Sequence, residues 1–289
     1  MLIAVLWGSY PATTKIALQD FPPFFAAAVR CAIASIFLVV LLLRAHAGAF
    51  PTLTPAAVRA IVFLGIAGIY TSTQITYVAI YYTTAANAVI LQSATPAMVA
   101  LGARLYLGER LSRRQWAGVG ASAFGVVLVI TKGRLALLRP EEVHVGDLIT
   151  LVTLTGWTAY TVYGKRVLAT VSPELATTGA YVFGTLLIVP TALVAAPYFP
   201  TPRVSSLTAW AVVLYQALIG AIAHVWWYRA VQVVGPSRSA IFMNVQPVVG
   251  IVVAATLLGE RVGTWQIAGG ACVLAGVALT TRDAARGRA

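Results

Sequence analysis

Long apolar segments separated by short polar or turn-forming stretches make up almost all of this 289-residue chain. Each segment is apolar on all sides, and most approach the roughly 20 residues that a helix needs to cross the ~30 Å hydrocarbon core of a membrane. Strands of a membrane barrel would alternate apolar and polar positions instead. The pattern predicts ten helices, at 2–19, 23–43, 56–82, 84–106, 115–131, 147–168, 173–195, 207–231, 237–257 and 264–281.

The second half of the chain repeats the first. The sequence LGER occurs at 107–110 and at 258–261, and a proline stands eleven residues before each copy, Pro96 and Pro247. Self-similarity that extends over half the chain indicates an internal duplication. Shifts of 150 and 151 residues align further pairs: Trp7 with Trp157, Tyr10 with Tyr160, Lys15 with Lys165, Tyr77 with Tyr228, Ser93 with Asn244 and Thr95 with Gln246.

The duplication predicts a domain organisation. A first five-helix repeat covers 1–131, a connecting loop 132–146, a second five-helix repeat 147–281, and a cytoplasmic tail 282–289. Because five is an odd number, the second repeat enters the membrane from the opposite side. The predicted fold class is therefore an all-α integral membrane protein with ten transmembrane helices in two inverted repeats of five, an architecture common among secondary transporters.

Composition agrees with a membrane location. Hydrophobic residues make up 60% of the chain, charged residues only 10%, and the mean hydropathy is +0.86, which leaves too little polar surface for a water-soluble protein. Placing both termini in the cytoplasm puts thirteen of the twenty Lys and Arg residues inside, the side that positive charge favours. The net charge of +12 is divided among short loops, so membrane lipids rather than nucleic acid are the expected partner.

Several kinds of chemistry lack the residues they need. Cys31 and Cys272 stand alone, and the three histidines are scattered, so the sequence predicts no metal site, no cofactor and no catalytic residues. All eight carboxylates fall in loops or at helix ends. Since ion-driven carriers place an acidic residue near the middle of the membrane, we expect a carrier without a membrane carboxylate for ion coupling.

Polar and aromatic side chains away from the helix ends mark the interior of the bundle, because lipid disfavours them. A cavity lined by aromatic faces and neutral amides suits a small zwitterion, whose ammonium lies over rings and whose carboxylate accepts hydrogen bonds. Packing between helices is the alternative role of each such residue. The candidate substrate-binding residues are Tyr10, Gln74, Tyr77, Asn87, Gln92, Tyr160, Tyr163, His224, Trp227, Tyr228, Asn244 and Gln246.

Three pairs of repeated residues have expected mechanical roles. Pro96 and Pro247 each remove a backbone hydrogen bond, so they are candidate hinges, with static bends as the alternative. Lys15 and Lys165 are expected to extend along the helix to the membrane surface. The glutamate of each LGER is expected to stabilise the N-terminus of the helix that follows it.

The proline before each duplicated LGER, the Q-x-x-G after it and the W-x-x-Y-x-x-x-x-K openings resemble EamA-type members of the drug/metabolite transporter superfamily over essentially the whole chain. The aromatic-rich cavity is similar to that of bacterial amino-acid exporters of the YddG kind. This resemblance implies a multi-pass secondary transporter of the bacterial inner membrane that exports small neutral or aromatic amino acids by alternating access. It also implies that helices 1–4 and 6–9 surround the cavity, with helices 5 and 10 at the periphery.

Two alternatives stay open at this point. An exporter of other metabolites or drugs, including an exchanger of phosphorylated sugars or nucleotide sugars, should place several Lys or Arg residues in the cavity, where the sequence offers only Lys15, Arg30 and Lys165 as candidates. A membrane-embedded enzyme that modifies lipids should carry a cluster of carboxylates or a metal site at the interface.

Overall fold

A computed structural model of the protein describes residues 2–46, 52–133 and 144–286, and every regular element in these ranges is helical. The all-helical character is therefore confirmed for these ranges and agrees with an integral membrane protein, while the count of ten spans and their inverted arrangement stay predictions. Two shorter apolar helices cover Gln246–Leu258 and Thr264–Thr280. Within the described ranges, the segments that are long and apolar enough to cross a membrane are Pro23–Ala45, Pro55–Tyr81, Ala85–Leu107, Arg113–Thr131, Pro173–Tyr198 and Leu207–Val234.

The outer bounds of the predicted helices agree with the structure to within a few residues, but several of these helices are interrupted. Short 3-10 turns cover Ala196–Tyr198 and Phe242–Val245, and residues 134–143 of the connecting loop lie outside the described part. The α-helices are α1 (Leu2–Gly8), α2 (Tyr10–Ala17), α3 (Pro23–Ala45), α4 (Pro55–Leu64), α5 (Ile75–Tyr81), α6 (Ala85–Gln92), α7 (Thr95–Leu107), α8 (Arg113–Thr131), α9 (Val145–Val167), α10 (Pro173–Ala195), α11 (Leu207–Val234), α12 (Pro236–Ile241), α13 (Gln246–Leu258) and α14 (Thr264–Arg286). Of the predicted tail, residues up to Arg286 continue α14, and 287–289 lie outside the described residues.

Three interruptions coincide with prolines. Pro11, Pro96 and Pro247 each lie at the start of a new helix, in α2, α7 and α13. A proline ring lacks the N–H and collides with the carbonyl four residues back, so the helix stops and restarts there. The predicted bends at Pro96 and Pro247 are thus breaks in the helix, and their role as hinges stays a prediction.

The third predicted helix contains a wide π-helical segment, Gly65–Gln74, between α4 and α5. Its wider turn shows in the side chain of Thr73, whose Oγ1 donates to the carbonyl of Gly68 five residues back, at 3.2 Å. Gly68 lies against the ring of Tyr160, where a Cβ would come within 2.1 Å of Cδ2. Only glycine fits there, and the π-helical segment is thereby held against α9.

Residues that the repeat pairs with each other meet inside the bundle. The rings of Trp7 and Trp157 lie edge to face with centroids 5.1 Å apart. The hydroxyls of Ser35 and Thr185, which a shift of 150 aligns, are 2.9 Å apart. Contacts between a residue and its own repeat mate are expected along an approximate twofold axis between the two halves.

Glycines bring α8 and α14 together. A Cβ at Gly118 would meet the carbonyl oxygen of Gly276 at 2.4 Å, and one at Gly125 would meet that of Gly269 at 2.5 Å. The missing side chains let the two backbones approach closely, as in other membrane helix pairs. Because the earlier glycine of α8 contacts the later glycine of α14, the two helices run antiparallel.

Candidate functional site

A cavity of about 110 Å³ lies within the bundle and is lined by residues of α1, α2, α3, the π-helical segment, α5, α6, α7, α9, α11, the 3-10 turn Phe242–Val245 and α13. Every lining residue is buried or half-buried. The lining consists of Trp7, Tyr10, Pro11, Thr14, Arg30, Ser72, Thr73, Thr76, Tyr77, Ile80, Gln92, Thr95, Thr153, Leu154, Trp157, His224, Met243 and Gln246. Five of the twelve candidate residues are among them: Tyr10, Tyr77, Gln92, His224 and Gln246.

Four candidates lie in the protein core beside the cavity. Tyr160 and Tyr228 stack with centroids 4.4 Å apart, and the Tyr228 hydroxyl donates to the Tyr160 carbonyl at 3.0 Å. The indole of Trp227 donates to Thr161 Oγ1 at 3.3 Å. Gln74 is buried, and its amide has no hydrogen-bond partner among the described residues. These side chains support the cavity wall rather than line it.

Two further candidates lie elsewhere. Tyr163 is half-buried between Phe63 and Tyr106, with ring centroids 4.7 and 5.9 Å away, outside the cavity lining. Asn244 belongs to the 3-10 turn Phe242–Val245, and its side chain lies outside the described part of the chain. Helical phase alone predicted the wrong surroundings for Tyr163, because phase does not say which helices pack on either side.

One wall of the cavity is aromatic. His224 lies 5.2 Å from Trp7 and 5.5 Å from Trp157, centroid to centroid, in edge-to-face arrangements. His224 Nδ1 lies 2.8 Å from the Gly220 carbonyl, which can only accept, so Nδ1 carries the proton. Trp157 Nε1 and His224 Nε2 are buried without partners in the described structure. They offer a solute one donor and one acceptor beside apolar ring faces.

Arg30 is the charged residue of the cavity; the sequence named it as one of three basic residues that could face the cavity, but not among the twelve substrate-binding candidates. Its side chain is only 3% exposed, Nε donates to the Gln216 carbonyl at 3.2 Å, and the guanidinium lies over the Tyr10 ring at 5.5 Å. The topology with both termini in the cytoplasm counts Arg30 among the Lys and Arg residues of the outer side, and its burial shows that this assignment was wrong. The available signal was an arginine in the middle of the apolar run 23–43, since a charge in such a run has to face the protein interior.

Gln216 organises the polar side of the cavity, and it too escaped the sequence analysis. Its side chain is fully buried, and its Oε1 accepts a hydrogen bond from the Tyr77 hydroxyl. Its Nε2 donates to Thr13 Oγ1 at 2.9 Å and Thr14 Oγ1 at 3.0 Å. One amide thereby fixes α2, α5 and α11 relative to each other.

The repeated lysines bind helix ends instead of extending to the membrane surface. Lys15 Nζ donates to the carbonyls of Ile80 at 2.8 Å and Thr83 at 2.5 Å, at the end of α5. Lys165 Nζ donates to the carbonyls of Val231 at 3.2 Å and Gln232 at 2.8 Å, in the last turn of α11. The last carbonyls of a helix lack partners within it, so an ammonium group is stabilised there.

The LGER glutamates also act on a different helix from the one predicted. Glu260 accepts hydrogen bonds from the backbone N–H groups of Ala85 at 3.0 Å and Ala86 at 2.9 Å, in the first turn of α6. Glu109 accepts from Ser237 Oγ at 3.0 Å, in the first turn of α12. Each glutamate therefore reaches a helix of the other half rather than the helix that follows it in sequence, because folding brings the two halves side by side.

Asn87, the remaining candidate, belongs to a polar cluster at the α5–α6 turn. Asn87 Nδ2 donates to both carboxylate oxygens of Asp147, and Asn87 Oδ1 accepts from Gln266 Nε2 at 2.5 Å. Thr83 Oγ1 donates to the same carboxylate. Asp147 lies at a helix end, as expected, yet it is only 1% exposed. The cluster joins α6, α9 and α14 outside the cavity.

Comparisons with known proteins identify relatives over the whole length. The chain matches the EamA-like transporter family at residues 1–131 and 144–282. It is 30% identical to an uncharacterized transporter of Archaeoglobus fulgidus over 281 residues, 97% of this chain and 95% of that protein. It is 27% identical to a probable amino-acid metabolite efflux pump of Salmonella typhimurium over 293 residues, 96% of this chain and 91% of that protein.

Two further proteins are similar to this chain over most of its length. An inner membrane transporter of Escherichia coli, the uncharacterized YedA, is 25% identical over 279 residues, 96% of this chain and 87% of that protein. A solved crystal structure superposes with a TM-score of 0.70 at 20% identity, covering 100% of this chain and 97% of that chain. The superposition shows a shared fold.

Proposed function

This chain belongs to the EamA-like transporter family, and we propose that it exports small neutral or aromatic amino acids across the bacterial inner membrane. The observation that carries the proposal is a buried cavity walled by Trp7, Trp157 and His224, with a single buried guanidinium, Arg30. Indole faces accommodate an apolar side chain, and a guanidinium suits a carboxylate. The probable amino-acid metabolite efflux pump among the relatives supports the same substrate class.

Alternating access between two inverted repeats is the proposed mechanism, with both termini in the cytoplasm. Trp7 and Trp157 are repeat mates, they contact each other, and both line the cavity. A cavity on an approximate twofold axis is exposed to either side when the two halves exchange conformations. The α5–α6 turn at one end and the α11–α12 turn at the other are held by equivalent lysines, Lys15 and Lys165.

Transport is proposed to proceed without a membrane carboxylate for ion coupling. No aspartate or glutamate is among the cavity-lining residues. The buried Asp147 lies in the cluster at the α5–α6 turn, where its carboxylate accepts hydrogen bonds from Thr83 and Asn87. Substrate would then move down its own gradient. Exchange of phosphorylated or nucleotide sugars is disfavoured, because Arg30 is the one Lys or Arg of the lining and such solutes carry about two negative charges.

Counterflow in proteoliposomes tests the proposal. Liposomes preloaded with unlabelled phenylalanine or leucine should accumulate the labelled amino acid, while preloading with a hexose phosphate should give none. Trp157→Ala should lower phenylalanine counterflow at least about tenfold, because an indole face worth a few kcal/mol is lost. Trp116→Ala, at a side chain 49% exposed on α8, is the matched control and should leave counterflow unchanged. Flux of the hexose phosphate without flux of any amino acid would contradict the proposed substrate.

A further inference from the structure

The cavity holds a buried cation and no buried anion. Arg30 is charged at any physiological pH, since a guanidinium does not lose its proton in proteins. The lining contains no aspartate or glutamate, and the salt bridges found among the described residues do not involve Arg30. A buried charge without a counter-ion is unfavourable, so the cavity is built to receive a negative group.

The hydrogen bonds of Arg30 leave room for that group. Nε donates to the Gln216 carbonyl, and the side chain of Tyr10 is a second hydrogen-bond partner of the guanidinium. The ionisable groups near enough to interact with the guanidinium are Tyr10, Tyr77, Tyr181, Cys31 and His224, whose uncharged forms prevail at neutral pH. A guanidinium has five N–H donors on one planar group, so the donors that Gln216 and Tyr10 do not use can bind the oxygens of a carboxylate.

An ammonium group has no equivalent partner. The cavity offers it aromatic faces, the unpartnered His224 Nε2 and the neutral oxygens of Gln92, Gln246 and Thr95. Thr95 Oγ1 donates to the Gln92 carbonyl at 2.5 Å and therefore presents only its lone pairs to a solute. A carboxylate meets the opposite charge of Arg30, whereas an ammonium meets only neutral acceptors and ring faces, so loss of an amine should matter less than loss of a carboxylate.

We propose that Arg30 selects the solute by its carboxylate, and that the α-ammonium is dispensable. The inference rests on the proposed function and deepens it by naming the substrate class. That class is small apolar monocarboxylates: amino acids together with the 2-oxo and 2-hydroxy acids of the same side chain. Primary amines and amino-acid esters are excluded, because their positive charge would lie beside Arg30.

Competition against labelled substrate tests the inference on the wild-type protein. Phenylalanine, phenylpyruvate, phenyllactate, phenethylamine and phenylalanine methyl ester share one benzyl group and differ in the charged groups. The two acids without an amine should inhibit counterflow of labelled phenylalanine within about tenfold of phenylalanine itself, and the amine and the ester should be at least roughly 100-fold weaker. Equal inhibition by phenethylamine and phenyllactate would overturn the inference.

A second labelled probe separates this inference from the proposed function. Counterflow of labelled phenyllactate without counterflow of phenylalanine would remove the amino-acid proposal and leave the carboxylate requirement in place. If phenylalanine shows counterflow and phenethylamine inhibits it as strongly as phenyllactate does, the amino-acid proposal stands and the carboxylate requirement is refuted. Because both readouts use the wild-type protein, neither depends on whether a variant folds.

Variants of Arg30 add a measure that is independent of the amount of folded protein. Arg30→Gln should reduce the preference for phenylalanine over its methyl ester at least about tenfold, and Arg30→Lys should retain part of that preference, because it keeps the charge but loses the paired donors. Arg166→Gln, at an exposed arginine over Tyr106 outside the cavity, is the control and should leave the preference unchanged. An unchanged preference in Arg30→Gln would refute the role of Arg30.

Discussion

Asn87 donates a hydrogen bond to each carboxylate oxygen of Asp147, at 3.3 and 3.0 Å, and so joins the first turns of α6 and α9. Thr83, in the turn before α6, donates to the same carboxylate. Gly146, the neighbour of Asp147, lies so close to the end of α5 that a Cβ would meet the Ala79 carbonyl oxygen at 2.3 Å. A buried carboxylate thus holds the α5–α6 turn against α9.

Replacing this carboxylate should destabilise the protein. Asp147→Ala leaves the buried donors of Thr83 and Asn87 unpaired, at about 1–3 kcal/mol each, and should lower the free energy of unfolding by roughly 2–6 kcal/mol. Thermal unfolding in detergent measures this loss of stability. Glu174→Ala is the control, since its ion pair with Arg229 joins side chains 36% and 58% exposed and should contribute less than about 1 kcal/mol. Similar losses in both variants would show that Asp147 has no special role.

The two LGER glutamates should differ in effect although the repeat makes them equivalent. Glu260→Gln weakens a charge-assisted cap on two backbone N–H groups of α6, worth roughly 0.5–2 kcal/mol, whereas Glu109 meets one exposed hydroxyl. Hydrogen exchange of the Ala85 and Ala86 amides should therefore speed up several-fold in Glu260→Gln and stay unchanged in Glu109→Gln. Faster exchange at these amides in both variants would mean that the two caps act as one unit.

Tyr77 and Tyr228 are repeat mates with different surroundings. Tyr77→Phe removes the donor to the fully buried Gln216 and changes the cavity wall, so we expect the KM for the exported solute to rise several-fold. Tyr228→Phe removes a hydrogen bond to Tyr160 but retains the ring stack, and should lower stability by about 1 kcal/mol without changing KM. Counterflow at varied substrate concentration, together with thermal unfolding, distinguishes the two effects. A raised KM in Tyr228→Phe alone would contradict the assignment of the cavity wall.

The hinge hypothesis for Pro96 and Pro247 has its own test. Alanine at either position restores a backbone N–H and removes the clash with the preceding turn, so a continuous helix becomes possible. If the breaks are hinges, the transport rate should fall several-fold while the melting temperature holds or rises. Pro190→Ala is the control, since Pro190 lies inside the uninterrupted α10. Unchanged rates in both Pro96→Ala and Pro247→Ala would identify the breaks as static.

The candidate site shows what helical phase, the position of a residue around its helix, can and cannot predict. Polar residues within apolar runs were found because their position is a local property, and Tyr10, Tyr77, Gln92, His224 and Gln246 do line one cavity. The surroundings of the others depend on which helices pack together, which phase does not specify. Asn87 faces Asp147, a residue 60 positions away in the sequence, instead of the cavity.

The sequence by itself determined the helical membrane character, the positions of the apolar segments and the duplication, and it predicted bends at Pro96 and Pro247, where the structure has breaks. Segment length, hydropathy and the effect of proline on a helix are local properties, because each depends on residues that are close in the sequence. The apolar run 23–43 indicates that Arg30 faces the protein interior, but only the tertiary structure decided what surrounds it there. Gly220 of α11 makes that burial possible, because a Cβ there would lie 2.8 Å from Arg30 Nη2 and 2.4 Å from the Tyr10 hydroxyl. Space left by a glycine about 190 positions away is a property of packing, and no local pattern in the chain records it.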